Sequence, residues 1–128
     1  MKKIKVFMLR VNEDGIMFRG YLSEMEYSLK AEQEFVGGYI QVISLNENID
    51  AVLNDEGKIF QLPPNRVWFS EDGEPIDIIC GNIFCCRHND EGEFTDIKEE
   101  DIPVILKCLK PYLFGLIMRE DFLFEYKD

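Results

Sequence analysis

Apolar residues along this chain come mostly in short runs bounded by Gly, Pro, Asn and Asp, which is the spacing of strands and tight turns. Residues 4–11 form one such run, closed by Asn12, Glu13, Asp14 and Gly15, and residues 16–21 predict a shorter strand paired back onto it. Ser23 and Glu26 then have the spacing of a capping box, with Leu22 and Tyr27 placed as a hydrophobic staple. Met25, Leu29 and Val36 fall on one helical stripe, so the spacing predicts a helix over 24–36 that packs on the sheet. Gly37 or Gly38 ends it, since either takes the positive φ of a helix terminus without a steric penalty.

Strands are predicted next over 39–45, 49–53 and 58–62, and their short connections make them antiparallel. Asn46, Glu47 and Asn48 supply the first turn, and Asn54, Asp55, Glu56 and Gly57 fit a hairpin loop. Pro63, Pro64 and Asn65 break the ladder, because neither proline can donate a hydrogen bond, and 66–69 resumes an extended path. After a polar loop over 71–75, residues 76–80 and 82–87 read as one long strand or two, with Gly81 marking a bulge or a close backbone contact. A solvated loop follows over 88–93, and Asp101 caps a helix with Pro103 in its first turn and an apolar stripe over 104–109. The tail over 112–126 is so apolar that it must be covered by the rest of the domain or by a second copy of the chain, which would make a homodimer. The fold class expected is α+β: a mainly antiparallel, twisted sheet of five or six strands with one helix packed on it, and an apolar, helical C-terminal segment completing the core.

Composition narrows the function classes. A chain of 128 residues fits a single domain over 1–128, and 46% hydrophobic residues, ten Phe among them, suffice for a core. Lys plus Arg number 14 against 25 Asp plus Glu, and the net charge of −11 opposes broad contact with phosphate backbones or anionic lipid. Direct nucleic-acid binding and membrane association are therefore not expected. The N-terminal residues lead into a strand pattern rather than a signal-peptide core, and no stretch reaches the roughly 18 apolar residues of a membrane span. The expected location is the cytoplasm. Cys80, Cys85, Cys86 and Cys108 suit free thiols in a reducing compartment, and Cys85 and Cys86 face opposite ways if they lie in a strand.

Several motifs in this order resemble a known family. Residues 29–33, Val36-Gly37-Gly38-Tyr39-Ile40, Asn54-Asp55-Glu56-Gly57-Lys58, Leu62-Pro63-Pro64-Asn65-Arg66, Ile78-Ile79-Cys80-Gly81 and Glu93-Phe94 are together similar to the domain-of-unknown-function 3846 family, over roughly residues 28–102. The chain departs from the family pattern at Asp55, where Glu is usual, at Asn82, where Thr follows the glycine, and at Lys98, where a Ser or Thr helix cap stands. The resemblance implies a phage or mobile-element protein of a bacterial host. It carries over no catalytic residue, metal or cofactor.

Three groups of residues are candidates for chemistry. The first is Gln33, Gly37, Gly38, Tyr39, Asn54, Glu56, Asn65, Arg66 and Asp77. If the helix end, the turns and the strand share one rim of the sheet, these converge on a small anionic, nucleotide-like ligand, with the glycine amides assisting. Turn chemistry favours a plainer reading, in which Asn54 and Asn65 bond local backbone and Arg66 pairs with Asp77 or Glu56. The second group, Cys80, Cys85, Cys86 and His88, lacks the paired spacing of a zinc site, and a Cys–His nucleophile would need an orienting group that the sequence does not identify. The third is the acidic surface of Asp90, Glu91, Glu93, Asp96, Glu99, Glu100 and Asp101. It serves solubility, complements a helix N-terminus, or imitates the charge of DNA, which falls about every 1.7 Å along the axis. The function expected is a non-catalytic accessory module that binds a host protein and modulates host defence. The competing class is a binder of, or enzyme on, a small anion around Arg66.

Overall fold

The computed structural model describes residues 2–113 and 116–117. Within them the fold is α+β and mainly antiparallel, with two short α-helices. The larger sheet has six strands: β1 (Lys3–Leu9), β2 (Tyr21–Glu26), β3 (Ile40–Ser44), β4 (Ile49–Asn54), β7 (Ile83–His88) and β8 (Phe94–Thr95). Its order is β2-β1-β7-β4-β3, and β8 pairs with the end of β7 beyond β1. A second, four-stranded sheet was not anticipated. It holds β5 (Pro64–Phe69), β6 (Pro75–Cys80), β9 (Leu109–Leu113) and β10 (Leu116–Ile117) in the order β10-β9-β5-β6. Gly81, with φ of 92°, separates β6 from β7 and sends consecutive strands into different sheets, so the run over 76–87 is two strands.

The larger sheet is covered on both faces, and residue alternation along each strand decides which side chains go where. One face carries Ile4, Val6, Met8, Val52, Phe84 and Cys86 against Val36 of helix α1 (Leu29–Val36). The other carries Phe7, Leu9, Ile43, Ile49, Ala51, Leu53, Ile83 and Cys85. These meet Ile79 of the smaller sheet together with Ile102, Ile105 and Cys108 of helix α2 (Ile102–Cys108), so both sheets share this core. Cys85 and Cys86 do face opposite ways, and all four cysteines are free.

Four sequence expectations are corrected. The helix begins at Leu29, not near residue 24: residues 21–26 pair with β1 in register, Ile4 opposite Met25, and Ser28 rather than Ser23 caps the helix by accepting the Ala31 amide at 3.1 Å. The strand expected over 16–21 is a single bridge between Val11 and Met17. Residues 58–62 form tight turns instead of a strand, with the Phe60 amide donating to the Glu56 carbonyl at 3.0 Å and Gln61 at a φ of 57°. The C-terminal segment leaves the helical path at Leu109, and Leu109–Leu113 and Leu116–Ile117 are extended; Pro111, without an N–H, cannot continue a helix. The rest of that tail, and its expected role as a dimer surface, lies outside the described residues. Asp101 stands before α2, with proline in the first turn as the sequence indicates, but its side chain makes no capping hydrogen bond to that helix.

Candidate functional site

The polar residues singled out in the sequence fall into two structural knots and one open cleft. The first knot closes the C-terminus of α1, where the last carbonyls of a helix lack intrahelical donors. Gly37, at a φ of 83°, and Gly38 both donate their amides to the Gln33 carbonyl, at 2.8 and 3.0 Å. Asn82 Nδ2 donates to the Phe35 carbonyl and Asn54 Nδ2 to the Val36 carbonyl, each at 3.1 Å. Asn54 Oδ1 accepts the Glu56 amide at 2.8 Å, which shapes the following turn. The glycine amides are thus committed to the helix end, and Tyr39 beside them points into solvent at 71% exposure.

The second knot joins the two sheets. Pro64 pairs with Cys80 and Arg66 with Ile79, so Asn65 is the extra residue of a β-bulge. Its side chain is buried and donates to the Leu9 carbonyl at 2.9 Å and the Gly81 carbonyl at 2.8 Å, tying the end of β1 to the crossing between sheets. Arg66 is fully buried beside it, with Nε 3.4 Å from Asn65 Oδ1 and Nη1 3.5 Å from the Leu109 carbonyl. Neither Asn65 nor Arg66 lines the cleft. The convergence of the whole polar set on one pocket therefore does not occur.

What remains open is a cleft of about 270 Å³ between the β3–β4 edge of the larger sheet and β6 of the smaller one. Ile43, Leu53, Trp68 and Ile79 contribute apolar walls, and Asn54, Asp55, Glu56, Lys58 and Asp77 contribute polar ones. Asp77, expected as a partner of Arg66, is exposed on β6 and pairs instead with Lys58 across the cleft. The Lys58 ammonium holds the Asp77 carboxyl below its ordinary range, while burial pushes the Cys80 thiol up. The segments bounding the cleft also present exposed apolar side chains: Tyr39 and Val42 beside and on β3, Ile59 and Phe60 in the turns over 55–62, and Ile76 on β6.

A family model described as a domain of unknown function, DUF3846, matches residues 6–110. This chain belongs to that family. The match runs from β1 into β9, well beyond the 28–102 stretch over which the motifs are recognisable, so the DUF3846 region takes in both helices and strands of both sheets, with β10 beyond it. No curated protein and no solved structure matches the chain.

Against this DUF3846 framework the other candidates resolve individually. Asp90, Glu91, Glu93, Asp96, Glu99 and Glu100 are exposed, but Asp101 is buried and leaves the acidic surface. It accepts two hydrogen bonds from Arg87, at 2.6 and 2.7 Å, and one from the Lys98 amide at 3.0 Å. Burial opposes ionisation of Asp101, yet the Arg87 and Lys98 donors outweigh it and hold the carboxyl below its ordinary value. That last bond is the acidic half of a capping box, so the helix start forms without the usual Ser or Thr at Lys98. His88 Nδ1 lies 2.9 Å from Asp50 Oδ2, an orienting carboxylate that sequence separation concealed. The neighbouring Cys86 thiol is nevertheless fully buried and pushed far up by desolvation, which disfavours a reactive thiolate. Among the described residues no cluster of His, Cys, Asp and Glu is arranged to hold a metal ion, and no helix is long and apolar enough to cross a membrane.

Proposed function

We propose that this DUF3846 protein is a non-catalytic interaction module that binds a host protein in the bacterial cytoplasm, in the phage or mobile-element setting that its family suggests. The observation that carries the reading is the cleft between β3–β4 and β6. Its lining combines the carboxylates of Asp55 and Glu56 and the Lys58–Asp77 pair with Ile59, and Phe60, next in the same turn, is exposed as well. Apolar surface flanked by carboxylates that outnumber the single Lys58 ammonium is the chemistry of a recognition surface, and it fits a partner segment that carries Lys or Arg next to apolar residues. The net charge of −11 adds long-range attraction toward such a partner. Modulation of host defence is the role this reading extends to.

The test is affinity capture from bacterial lysate with the wild-type chain and with an Ile59→Ser, Phe60→Ser variant, whose substitutions are on exposed side chains. A partner retained by wild type at low salt, weakened at high salt and lost from the variant supports the reading. A partner that binds both proteins equally, or no partner at all, overturns the assignment of this cleft.

A further inference from the structure

In a chain with 25 acidic and 14 basic residues, a place where arginines gather without carboxylates calls for an account. Such a place lies where the chain leaves β1 and returns toward β2. Arg10, Val11, Asn12, Phe18, Arg19 and Tyr21 line an open cleft of about 480 Å³, and among the described residues no acidic one lines it. The walls are held together by backbone: Val11 bridges to Met17, the Phe18 amide donates to the Arg10 carbonyl at 2.9 Å, and the Asn12 amide to the Ile16 carbonyl at 3.0 Å. Asn82 Oδ1 accepts the Val11 amide at 2.9 Å. Both arginines are therefore presented by one braced pair of segments rather than by a free loop.

Within this cleft Arg19 is underused. Its Nε and Nη2 are buried and have no hydrogen-bond partner among the described residues. Guanidinium N–H groups taken out of water without an acceptor are costly, and an anion in the cleft that draws the Arg19 side chain toward it would relieve that cost. Phe18, 46% exposed, and the half-buried Tyr21 bring aromatic rings to the same walls. The volume falls in the roughly 300–1,000 Å³ range of small-ligand sites.

We propose that the Arg10–Arg19 cleft binds a mononucleotide, with the guanidinium groups taking the phosphate and the Phe18 and Tyr21 rings taking the planar base. Forked guanidinium donors match phosphate oxygens, and aromatic faces accept bases with little sequence preference. The overall negative charge works against long polyanions, so the ligand is a free nucleotide rather than a nucleic-acid strand. This site is separate from the cleft at β6 and from the buried Arg66, and its fate does not bear on the partner-binding reading.

The full chain is titrated calorimetrically with adenosine 5′-monophosphate, inorganic phosphate and adenosine. Binding of the nucleotide is expected, with phosphate and adenosine each at least about tenfold weaker, because each offers only half of the recognised chemistry. Arg10→Ala, on an exposed side chain, is expected to weaken nucleotide binding by about tenfold or more. Arg19→Lys, which keeps the charge but loses the planar fork, should weaken it as well, both variants keeping the wild-type circular dichroism. The proposal is overturned if the nucleotide gives no binding, if inorganic phosphate binds as tightly as the nucleotide, or if both variants bind like wild type.

Discussion

Glu32 is the residue whose environment agrees least with its chemistry. It lies on α1 at 4% exposure, its Oε2 has no hydrogen-bond partner among the described residues, and desolvation raises its pKa above the ordinary 4.5. A carboxyl that holds its proton better folded than unfolded favours the folded state most fully below pH 4.5, and that contribution is lost as pH rises through the raised value. Glu32→Gln should therefore stabilise the protein at neutral pH by about 1 kcal/mol, the gain shrinking toward zero in acid, as measured by urea unfolding across that range. A constant gain at every pH would trace it to packing instead. The helix predicted over 24–36 contains Glu32 but gives it no role, because helical periodicity does not say how deeply a flank sinks onto the sheet. Asn54 and Asn65 were legible as punctuation but not in their partners. Asn54 bonds its own turn as such residues do, whereas its Nδ2 reaches a carbonyl 18 residues earlier and Asn65 reaches one 56 residues earlier, distances over which spacing carries no information.

At the scale of elements, strands with clean turns were readable and segments whose state depends on tertiary pairing were not. The strands over 39–45 and 49–53 appear as β3 and β4, while residues 24–26, helical by spacing, are drawn into the sheet by pairing with β1. The segment 58–62 has the composition of a strand, yet Gly57 is pressed against the smaller sheet and the Leu62 amide closes back on the Gly57 carbonyl at 2.9 Å. A β-carbon at Gly57 would stand 2.7 Å from the Cys80 carbonyl oxygen, a backbone atom that cannot swing aside as a side chain could. Gly57→Ala should thus separate this turn from β6 and cost about 2 kcal/mol, read as a lower urea midpoint with unchanged slope. Because Lys58 follows directly, the same substitution should also disturb its pairing with Asp77 and weaken any partner bound at the cleft beside it. Stability equal to wild type would mean that the turn rides clear of β6 in solution. The pairing of Gly with a turn was visible in the letters; the reason no other residue fits, a carbonyl from a different sheet, was not.

For the whole molecule the question is whether two sheets unfold as one body. The core on one side of the larger sheet takes in Ile79, α2 and Leu109 as well as β1, β3, β4 and β7, with Trp68 packed against it, and Asn65 ties β1 to the β6–β7 crossing. The face of the larger sheet that carries Phe7, Leu9 and Cys85 closes on Ile79 and Leu109 of the smaller sheet, so partial unfolding would expose a large part of this core at once. The single tryptophan makes the point measurable, since Trp68 reports from the smaller sheet while far-ultraviolet circular dichroism reports chiefly from the larger. The two signals should give one coincident urea transition. Asn65→Ala should move both together to lower urea, by about 2–4 kcal/mol, because the buried carbonyls of Leu9 and Gly81 each lose their side-chain donor. A tryptophan transition that precedes the circular-dichroism transition, in wild type or in this variant, would show that the smaller sheet is a separable unit. The cleft between β3–β4 and β6 would then change shape as the sheets part, and partner binding there should fall with the fluorescence signal rather than with loss of the larger sheet.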